Sequence, residues 1–367
     1  MVSDTTWVTT ALDRALDSVE QRLDLDGYPH ITENGRWILS EDGFWTGGFW
    51  IGLLWAGYEE RRDERFREAA DRLLDAFIDR ADEQQNHDLG MMFSPSAVKG
   101  FELTGDPGYR AAAIAAANTL ASEFNTQGSF IPGWGFFGGD EWAGAVLIDT
   151  MMNLPLLLWA ADETGDDRLR DVALAHGQTT LAHHIRSDGS TFHVYHFDPE
   201  TGEPLRGDTY QGKAPESCWS RGLAWTITGC AQLADAGAGP EYKVAAERAA
   251  AYYVNHLPKD LLPYWDLGAD ATEPRDSSAA AIAAYGLLLL DQTDTAARCI
   301  KALVEQAQAP ALHAAILLRA TADLPHGLGI DESTIYGDYF YVRALQELRD
   351  RSASQIDAAA IHTDGGS

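Results

Sequence analysis

The sequence predicts an all-α protein in which inner helices, covered by outer helices, close into an α/α toroid. Three observations predict this fold. Apolar residues recur with the 3.6-residue period of a helix along most of the chain. Segments that are apolar nearly all round alternate with amphipathic segments, which indicates buried and surface helices in turn. Short turns rich in Gly and Asp separate them at intervals of roughly 45 to 70 residues, as in a helical-hairpin repeat.

The predicted helices follow one another along the chain. Residues 47–57, 142–161 and 277–290 are apolar nearly all round, and we expect each to form a helix that is buried on most sides. Residues 61–80 predict an amphipathic helix, whose apolar positions have helical spacing: Phe66, Ala69, Ala70, Leu73 and Phe77. Because buried helices begin near both ends of the chain, a closed toroid is favoured over an open solenoid.

One segment departs from the helical period. Residues 192–197 (FHVYHF) alternate as a strand does, and residues 198–204 (DPETGEP) have the composition of a turn. We therefore expect a small β-hairpin near residues 190–210, inserted between two helices. Such an insertion at one end of a helical barrel usually lines its mouth.

The chain is expected to form a single domain over residues 1–351, followed by a flexible tail over residues 352–367, because no linker divides it. Residues 1–24 lack the basic region of a secretory signal, and no run of about 18 uncharged apolar residues occurs. The three cysteines lack CxxC spacing and indicate free thiols. We expect a cytoplasmic protein, in a reducing compartment, that does not enter a membrane. A monomer and a dimer are both compatible with the sequence.

Acidic residues outnumber basic residues two to one. The 367 residues include 56 Asp and Glu and 27 Lys and Arg, so the formal net charge is −29. Such a surface repels the phosphates of nucleic acids and of anionic membranes, which excludes both as partners. Because 45% of the residues are apolar, the chain still has the material for a packed core. The acid excess, with few lysines and many alanines, predicts a halophilic protein adapted to concentrated salt, which screens charge repulsion.

Two aspartates are candidate catalytic residues. Asp149 lies within the apolar segment 142–161, where we expect a helix to bury its carboxyl group. A buried carboxyl group resists ionisation and can then act as a general acid, although a structural Asp held by Arg or by backbone N–H groups would look the same in sequence. Asp88 precedes the apolar run 89–93 and has the position of a helix N-cap, with catalysis as the alternative.

Arginine and tryptophan side chains indicate a sugar-binding site. Arg221 and Trp225 are four residues apart and share one helix face, so the guanidinium can bind a carboxylate while the ring stacks on a sugar. A structural ion pair and a core tryptophan are the alternative. Trp45 and Trp134 lie at a helix start and in a loop, where they can line a sugar cleft.

No cofactor or metal site is predicted. Residues 133–138 (GWGFFG) match GxGxxG, but no βαβ pattern surrounds them. His183 and His184 are adjacent on a helix and diverge, while His193 and His196 point to opposite faces of a strand. Neither pair of histidines therefore suits a metal ion.

Six segments occur in a familiar order between residues 40 and 350. They are Phe44–Trp50 (FWTGGFW), His87–Gly90 (HDLG), Ile148–Leu154 (IDTMMNL), Ser220–Trp225 (SRGLAW), Arg275–Ala279 (RDSSA) and Tyr336–Phe340 (YGDYF). Each segment alone is a weak signal, but as a set the chain resembles the unsaturated glucuronyl hydrolases, glycoside hydrolase family 88. The resemblance implies an (α/α)6 barrel of alternating inner and outer helices.

The resemblance also implies a reaction, the hydration of a carbon–carbon double bond. The substrate is a small oligosaccharide released by a polysaccharide lyase, with a 4,5-unsaturated glucuronate at its non-reducing end. Protonation of C4 and addition of water to C5 give a hemiketal, which opens and expels the rest of the sugar. No metal or cofactor takes part.

The resemblance assigns roles to individual residues. Asp149 is implied to be the general acid and base, and Asp88 to hold ring hydroxyls and assist. Further pocket positions fall on His87, Trp134, His193, Gln211, Arg221 and Trp225. Of these, the His193, Gln211 and Arg221 side chains are expected to bind substrate oxygens, and the two tryptophans are expected to stack on the sugars.

Three other functions stay open. The sister family 105, which removes unsaturated rhamnogalacturonyl or ulvan-type glucuronyl groups, shares the fold and the chemistry. A sugar epimerase of the N-acyl-glucosamine type would need paired catalytic histidines on barrel helices. A non-catalytic glycan-binding protein would keep the tryptophans but would have no use for an acid at position 149.

Overall fold

Helices make up most of the structure. The computed structural model describes residues 6–133, 142–311 and 313–364, with side chains described to residue 354. The helices in these ranges are α1 (Thr6–Glu20), α2 (Gly47–Arg61), α3 (Glu64–Phe77), α4 (Leu89–Phe93), α5 (Lys99–Thr104), α6 (Pro107–Ser122), α7 (Leu154–Thr164), α8 (Asp167–His183), α9 (Ser220–Asp235), α10 (Pro240–His256), α11 (Ser277–Leu289), α12 (Thr293–Gln306) and α13 (Ile335–Asp364).

The inner helices form a closed ring. In ring order they are α2, the broken helix α4–α5, α7, α9, α11 and α13, and each contacts the next. The last, α13, packs against α2 and closes the ring. The outer helices α1, α3, α6, α8, α10 and α12 each pack on an inner helix. The predicted (α/α)6 barrel is therefore confirmed.

The turn from an inner to an outer helix recurs in one form. Three inner helices end at a residue with positive φ, and the next residue is an Asp whose side chain caps the outer helix. The residue pairs are Arg62 with Asp63, Gly105 with Asp106 and Gly165 with Asp166. The left-handed residue ends one helix, and the carboxylate accepts a hydrogen bond from an N–H group that the next helix leaves free. The Gly- and Asp-rich turns of the sequence thus set the alternation of the barrel.

The inner helix between residues 89 and 104 is interrupted. Its two parts, α4 and α5, are joined by a π-helical turn over Ser94–Val98 that includes Pro95. Proline has no N–H group for the helical ladder, and the wider turn accommodates it. The backbone of α4 also lies very close to α2, because a Cβ atom added to Gly48 would stand 2.0 Å from the carbonyl oxygen of Met92.

The segment 142–161 is not one helix, so this part of the prediction is wrong. It begins with strand β3 (Ala145–Leu147), continues as a 3₁₀ turn (Ile148–Met152), and only then enters α7. Strand β3 pairs with a strand of the inserted hairpin, which holds it extended. Pro155 lies in the first turn of α7, where proline favours a helix start.

Three β-hairpins project from the helical ring in the described ranges. The predicted hairpin is confirmed as β4 (Val194–Phe197) and β5 (Pro204–Asp208), and β3 extends it to three strands. The other two were not predicted: β1 (Tyr28–Glu33) with β2 (Arg36–Ser40), and β6 (Ala320–Asp323) with β7 (Leu328–Glu332).

The end of the chain continues the last inner helix. Helix α13 runs through residues 352–364, where the sequence predicts a tail, and the domain boundary at residue 351 stays a prediction. Within the described ranges, no helix is both long enough and apolar enough to cross a membrane.

The contact between α2 and α4 predicts the effect of a single methyl group. We expect Gly48→Ala to lower the free energy of unfolding by about 1–3 kcal/mol or more, because its Cβ meets backbone that cannot rotate away. Gly108→Ala is the control, since its Cβ would meet the Asp106 side chain at 3.1 Å. Because alanine favours helix, this control should stay within about 1 kcal/mol of the native protein in urea unfolding. Equal stability of the two variants would contradict the close packing of α2 on α4.

Candidate active site

A cleft of about 770 Å³ opens where the inner helices begin. Its walls come from residues that precede or start inner helices, together with residues of the hairpins. The principal lining residues are His30, Trp45, Asp88, Asp149, Trp219 and Tyr336. The barrel therefore brings segments from distant parts of the sequence together at one site.

Asp149 is a buried residue in the lining of this cleft. It sits in the 3₁₀ turn after β3, and it is 8% exposed. The predicted burial of Asp149 is therefore confirmed, although its helical setting was wrong. Among the described residues, no group hydrogen-bonds to its Oδ1 atom. Oδ1 is thus a buried oxygen without a hydrogen-bond partner, on a residue that lines the cleft.

His193 faces the other oxygen of Asp149. Its Nε2 atom lies 3.4 Å from Oδ2 of Asp149. Its Nδ1 atom accepts hydrogen bonds from the backbone N–H groups of Tyr210 and Gln211, at 3.2 and 3.1 Å. Because an accepting Nδ1 carries no hydrogen, the proton of the neutral ring resides on Nε2, the ring nitrogen on the side of the carboxylate. The Trp219 ring packs against the imidazole, with centroids 4.4 Å apart.

Asp88 is buried at the start of α4, but it does not cap that helix through its side chain. The sequence predicted a side-chain cap by Asp88, and no such hydrogen bond is found among the described residues. Its Oδ1 instead lies 3.5 Å from the Nδ2 group of Asn153 and 3.5 Å from Nε2 of His87. Burial raises the pKa of Asp88, and the nearby charge of Asp149 raises it further, while His87 and Asn153 lower it.

Arg221 forms part of the wall and is largely engaged by the protein. Its Nη1 group donates to Asp276 at 2.9 Å and to the Thr321 carbonyl at 2.8 Å, and Nη2 donates to the Ala322 carbonyl. Three of the five N–H groups of a guanidinium are thus used inside the protein. Arg221 and Asp276 are 3% and 0% exposed, so their ion pair is buried. The structural ion pair considered for Arg221 is therefore present, beside its place in the cleft.

The other predicted site residues differ in how much of the side chain is buried in the protein. Gln211 lines the cleft and donates through Nε2 to the Ala322 carbonyl at 3.0 Å. Trp45 is half-buried and stacks on Tyr336, with ring centroids 5.2 Å apart. Trp225 reaches the cleft with little exposed surface, because it also packs in the core. Trp134 lies outside the described residues.

Several lining residues were not identified from the sequence. Tyr336 belongs to a segment that carries the resemblance, so its signal was present but not assigned to the site. The same holds for Asn153, which is fully buried and contacts Asp88 without lining the cleft. Asp323 lies at the end of β6 and accepts a hydrogen bond from the His326 ring, 2.8 Å away. It was missed because that hairpin was not predicted. In the part of the chain that is described, no three His, Cys, Asp or Glu side chains are grouped to hold a metal ion.

Comparisons with known proteins agree on one family. The model of Glycosyl Hydrolase Family 88 matches residues 11–316. The chain is 36% identical over 360 residues to an unsaturated chondroitin disaccharide hydrolase of Streptococcus pyogenes serotype M1, covering 92% of this chain and 90% of that protein. It is 35% identical over 352 residues to an unsaturated glucuronyl hydrolase of Bacillus sp. strain GL1, covering 88% and 91%.

Comparison with solved structures leads to the same family. A crystal structure of the unsaturated glucuronyl hydrolase of Bacillus sp. GL1, described as responsible for the degradation of glycosaminoglycan, superposes with a TM-score of 0.90 at 33% identity. The superposition covers 93% of this chain and 96% of that one.

Asp88 and Asp276 are both buried, and we expect their replacement by asparagine to have opposite effects on stability. The pKa of Asp88 is raised above its ordinary 3.8, so its carboxyl group contributes stability below pH 3.8 that is lost as pH rises through the raised pKa. We expect Asp88→Asn to raise the melting temperature at neutral pH by removing a desolvated charge. The gain should shrink as pH is lowered from about 8 to about 4, measured by thermal unfolding at each pH.

Asp276→Asn is the matched control, since it leaves the buried Arg221 without its anion. We expect it to lower the free energy of unfolding by about 3–5 kcal/mol. Stabilisation by Asp276→Asn, or an Asp88→Asn effect that does not change with pH, would contradict the assigned electrostatics.

Proposed function

The chain belongs to glycoside hydrolase family 88, and we propose that it removes a 4,5-unsaturated glucuronate from the non-reducing end of small oligosaccharides by hydrating the double bond. The chain is a glycosidase by family. The family match favours this reaction over the sister family 105. Relatives named for unsaturated chondroitin disaccharides and unsaturated glucuronyl groups support the substrate class.

One observation carries the proposal: Asp149 is a buried carboxyl group that lines the cleft, with Oδ2 3.4 Å from the imidazole Nε2 of His193 and Oδ1 without a hydrogen-bond partner in the described chain. A general acid needs a position beside the substrate and an oxygen that is not held by another group of the protein. It also needs a group that stabilises the carboxylate left behind, and the Nε2–H of His193 is placed for that.

In the proposed reaction, Asp149 first transfers its proton to C4 of the unsaturated ring. The double-bond electrons form the new C–H bond, and positive charge develops on C5 and on the ring oxygen. Water then adds to C5 while the Asp149 carboxylate takes one of its protons, which restores the acid. The C5 hemiketal opens to a ketone, and the hemiacetal left at C1 releases the rest of the sugar. One water molecule is consumed.

His193 is a poor candidate for the base. Its Nδ1 lone pair is occupied by two backbone N–H groups, and its Nε2 already carries a proton. We propose that it orients Asp149 and stabilises the carboxylate. Asp88, whose pKa is raised by burial, is proposed to hydrogen-bond ring hydroxyls together with His87.

The substrate anion is proposed to be held by local donors. Arg221 keeps two of its five N–H groups beyond those used in the wall, and Gln211 lies beside it in the cleft. Trp45, Trp225 and Trp134 are proposed to contact the sugar rings. Close hydrogen bonds and stacking are effective in strong salt, where long-range attraction is screened.

We also propose that the protein works in concentrated salt in the cytoplasm. The net charge of −29 supports the first part, because its self-repulsion is relieved only when ions screen it. The second part is supported by Cys218, Cys230 and Cys299, which are all buried as free thiols.

The assignment of Asp149 as the general acid predicts the effect of replacing its carboxyl group by an amide. Asp149→Asn should lower kcat by a factor of about 10³ or more while retaining substrate binding, because the amide cannot donate an acidic proton to carbon. Turnover is followed as loss of the ultraviolet absorbance of lyase digests prepared from several polysaccharides. Asp323→Asn, a change of another carboxyl in the same cleft, serves as control and should retain measurable turnover.

Two results would oppose the assignment. An active Asp149→Asn enzyme would remove Asp149 as the proton donor. Absence of any absorbance loss by the native enzyme with every digest would overturn the reaction itself. Addition of a chelator is expected to leave the rate unchanged.

The charge of the surface predicts a salt requirement. We expect the melting temperature to rise when KCl is increased from about 0.1 M to the molar range, because the Debye length falls from about 10 Å to about 3 Å. Sucrose, which stabilises without screening, is the control and should not reproduce the full effect. A melting temperature that is flat or falling with KCl would rule out the salt adaptation.

A further inference from the structure

His184 lies directly behind the segment that carries Asp149. It follows the last residue of α8 and is fully buried. Its ring Nε2–H donates to the carbonyl of Val146 in β3, at 2.9 Å. Its own backbone carbonyl accepts the N–H of Phe192, at 3.0 Å. One residue therefore holds two separate stretches of chain.

These two stretches carry Asp149 and His193. Val146 is followed three positions later by Asp149, and Phe192 is followed immediately by His193. A third bond links the stretches, because the Ile148 N–H donates to the His193 carbonyl at 2.9 Å. The end of α8, β3 and the start of the hairpin thus form one hydrogen-bonded unit around the carboxylate–imidazole contact.

We propose that His184 is a positioning residue for catalysis, which holds β3 in the register that sets Oδ2 of Asp149 against the Nε2–H of His193. The inference rests on the proposed function, since it concerns the geometry of the proposed acid. His184 reaches neither the substrate nor the reacting atoms and acts through the strand before Asp149.

The neutral ring suits this task. A neutral imidazole has one N–H, and here it is used on the Val146 carbonyl. Burial lowers the pKa of His184 to about 4, so the ring stays uncharged through the neutral range. The ring also packs against Tyr195 on β4, with centroids 5.7 Å apart, which ties it to the hairpin as well as to β3.

His176 provides a matched control on the same helix. It is fully buried two turns before His184, and its Nδ1 accepts the N–H of Ile131 at 2.8 Å. Its hydrogen bond ends on a different stretch of chain, which reaches β3 only through a further bond, from the Gly133 N–H to the Ala145 carbonyl at 2.7 Å. Loss of either histidine removes a buried ring and one hydrogen bond, but only loss of His184 removes a direct bond to the strand before Asp149.

The test compares His184→Leu with His176→Leu by kcat, KM and melting temperature, using an unsaturated disaccharide that the native enzyme turns over. We expect both variants to melt at lower temperature. His184→Leu should lower kcat about tenfold to a hundredfold with KM within about twofold, as a displaced acid requires. His176→Leu should keep kcat within about threefold. Equal falls in kcat for the two variants would overturn the proposal.

A second pair of variants covers the case in which His184→Leu does not fold. The amide of His184→Gln is long enough to donate where Nε2 does, and that of His184→Asn is too short. We expect His184→Gln to retain kcat within about threefold and His184→Asn to lose about tenfold or more. Equal kcat in this pair would also overturn the inference. Inactivity of the native enzyme on every lyase digest would instead mark the failure of the proposed function.

Discussion

The contact between Asn153 and the first turn of α4, at Gly90, is the constraint on which the active site depends. A Cβ atom on residue 90 would stand 2.3 Å from the Cα atom of Asn153, so the two backbones meet only because residue 90 is glycine. The Asn153 amide then accepts the Met91 N–H at 2.7 Å and faces Asp88 through its nitrogen. Two inner helices are thereby joined at their starts. Asp88 and Asp149 reach one cleft because the segments that bear them cannot separate.

Neutral donors, more than net charge, define this cleft. The buried positive charge of Arg221 is balanced by Asp276, and the imidazole of His193 is fixed in one tautomer by backbone N–H groups. Such groups are already aligned before a ligand arrives, and in a site shielded from water each has a larger electrostatic effect than at the surface. An anionic ligand can therefore be held by a protein of strongly negative charge, provided that the contacts are short.

The helical part of the fold was predictable, and the strands around the site were only partly so. The spacing and number of apolar residues predicted α2, α3 and α11 closely, because the buried face of a helix carries apolar residues three and four positions apart. An apolar run such as 142–161 suits a buried strand equally well, and the partner that makes β3 a strand lies about fifty residues later. The β1–β2 hairpin had a local signal in Asn34–Gly35, a pair that favours tight hairpin turns. The distinct roles of Asp88 and Arg221 depend on long-range partners, which spacing does not reveal.

Closure of the inner ring has a consequence for biosynthesis. Helix α13 packs against both α1 and α2, and its Tyr336 stacks on Trp45, which lies nearly three hundred residues earlier in the chain. During translation the first helix pairs emerge with one edge of the ring open, and that edge stays exposed until the final helix leaves the ribosome. Domains fold as units during synthesis. The nascent barrel therefore remains an incomplete ring with an exposed apolar edge for most of its synthesis. Its cleft acquires its last wall only when α13 has left the ribosome.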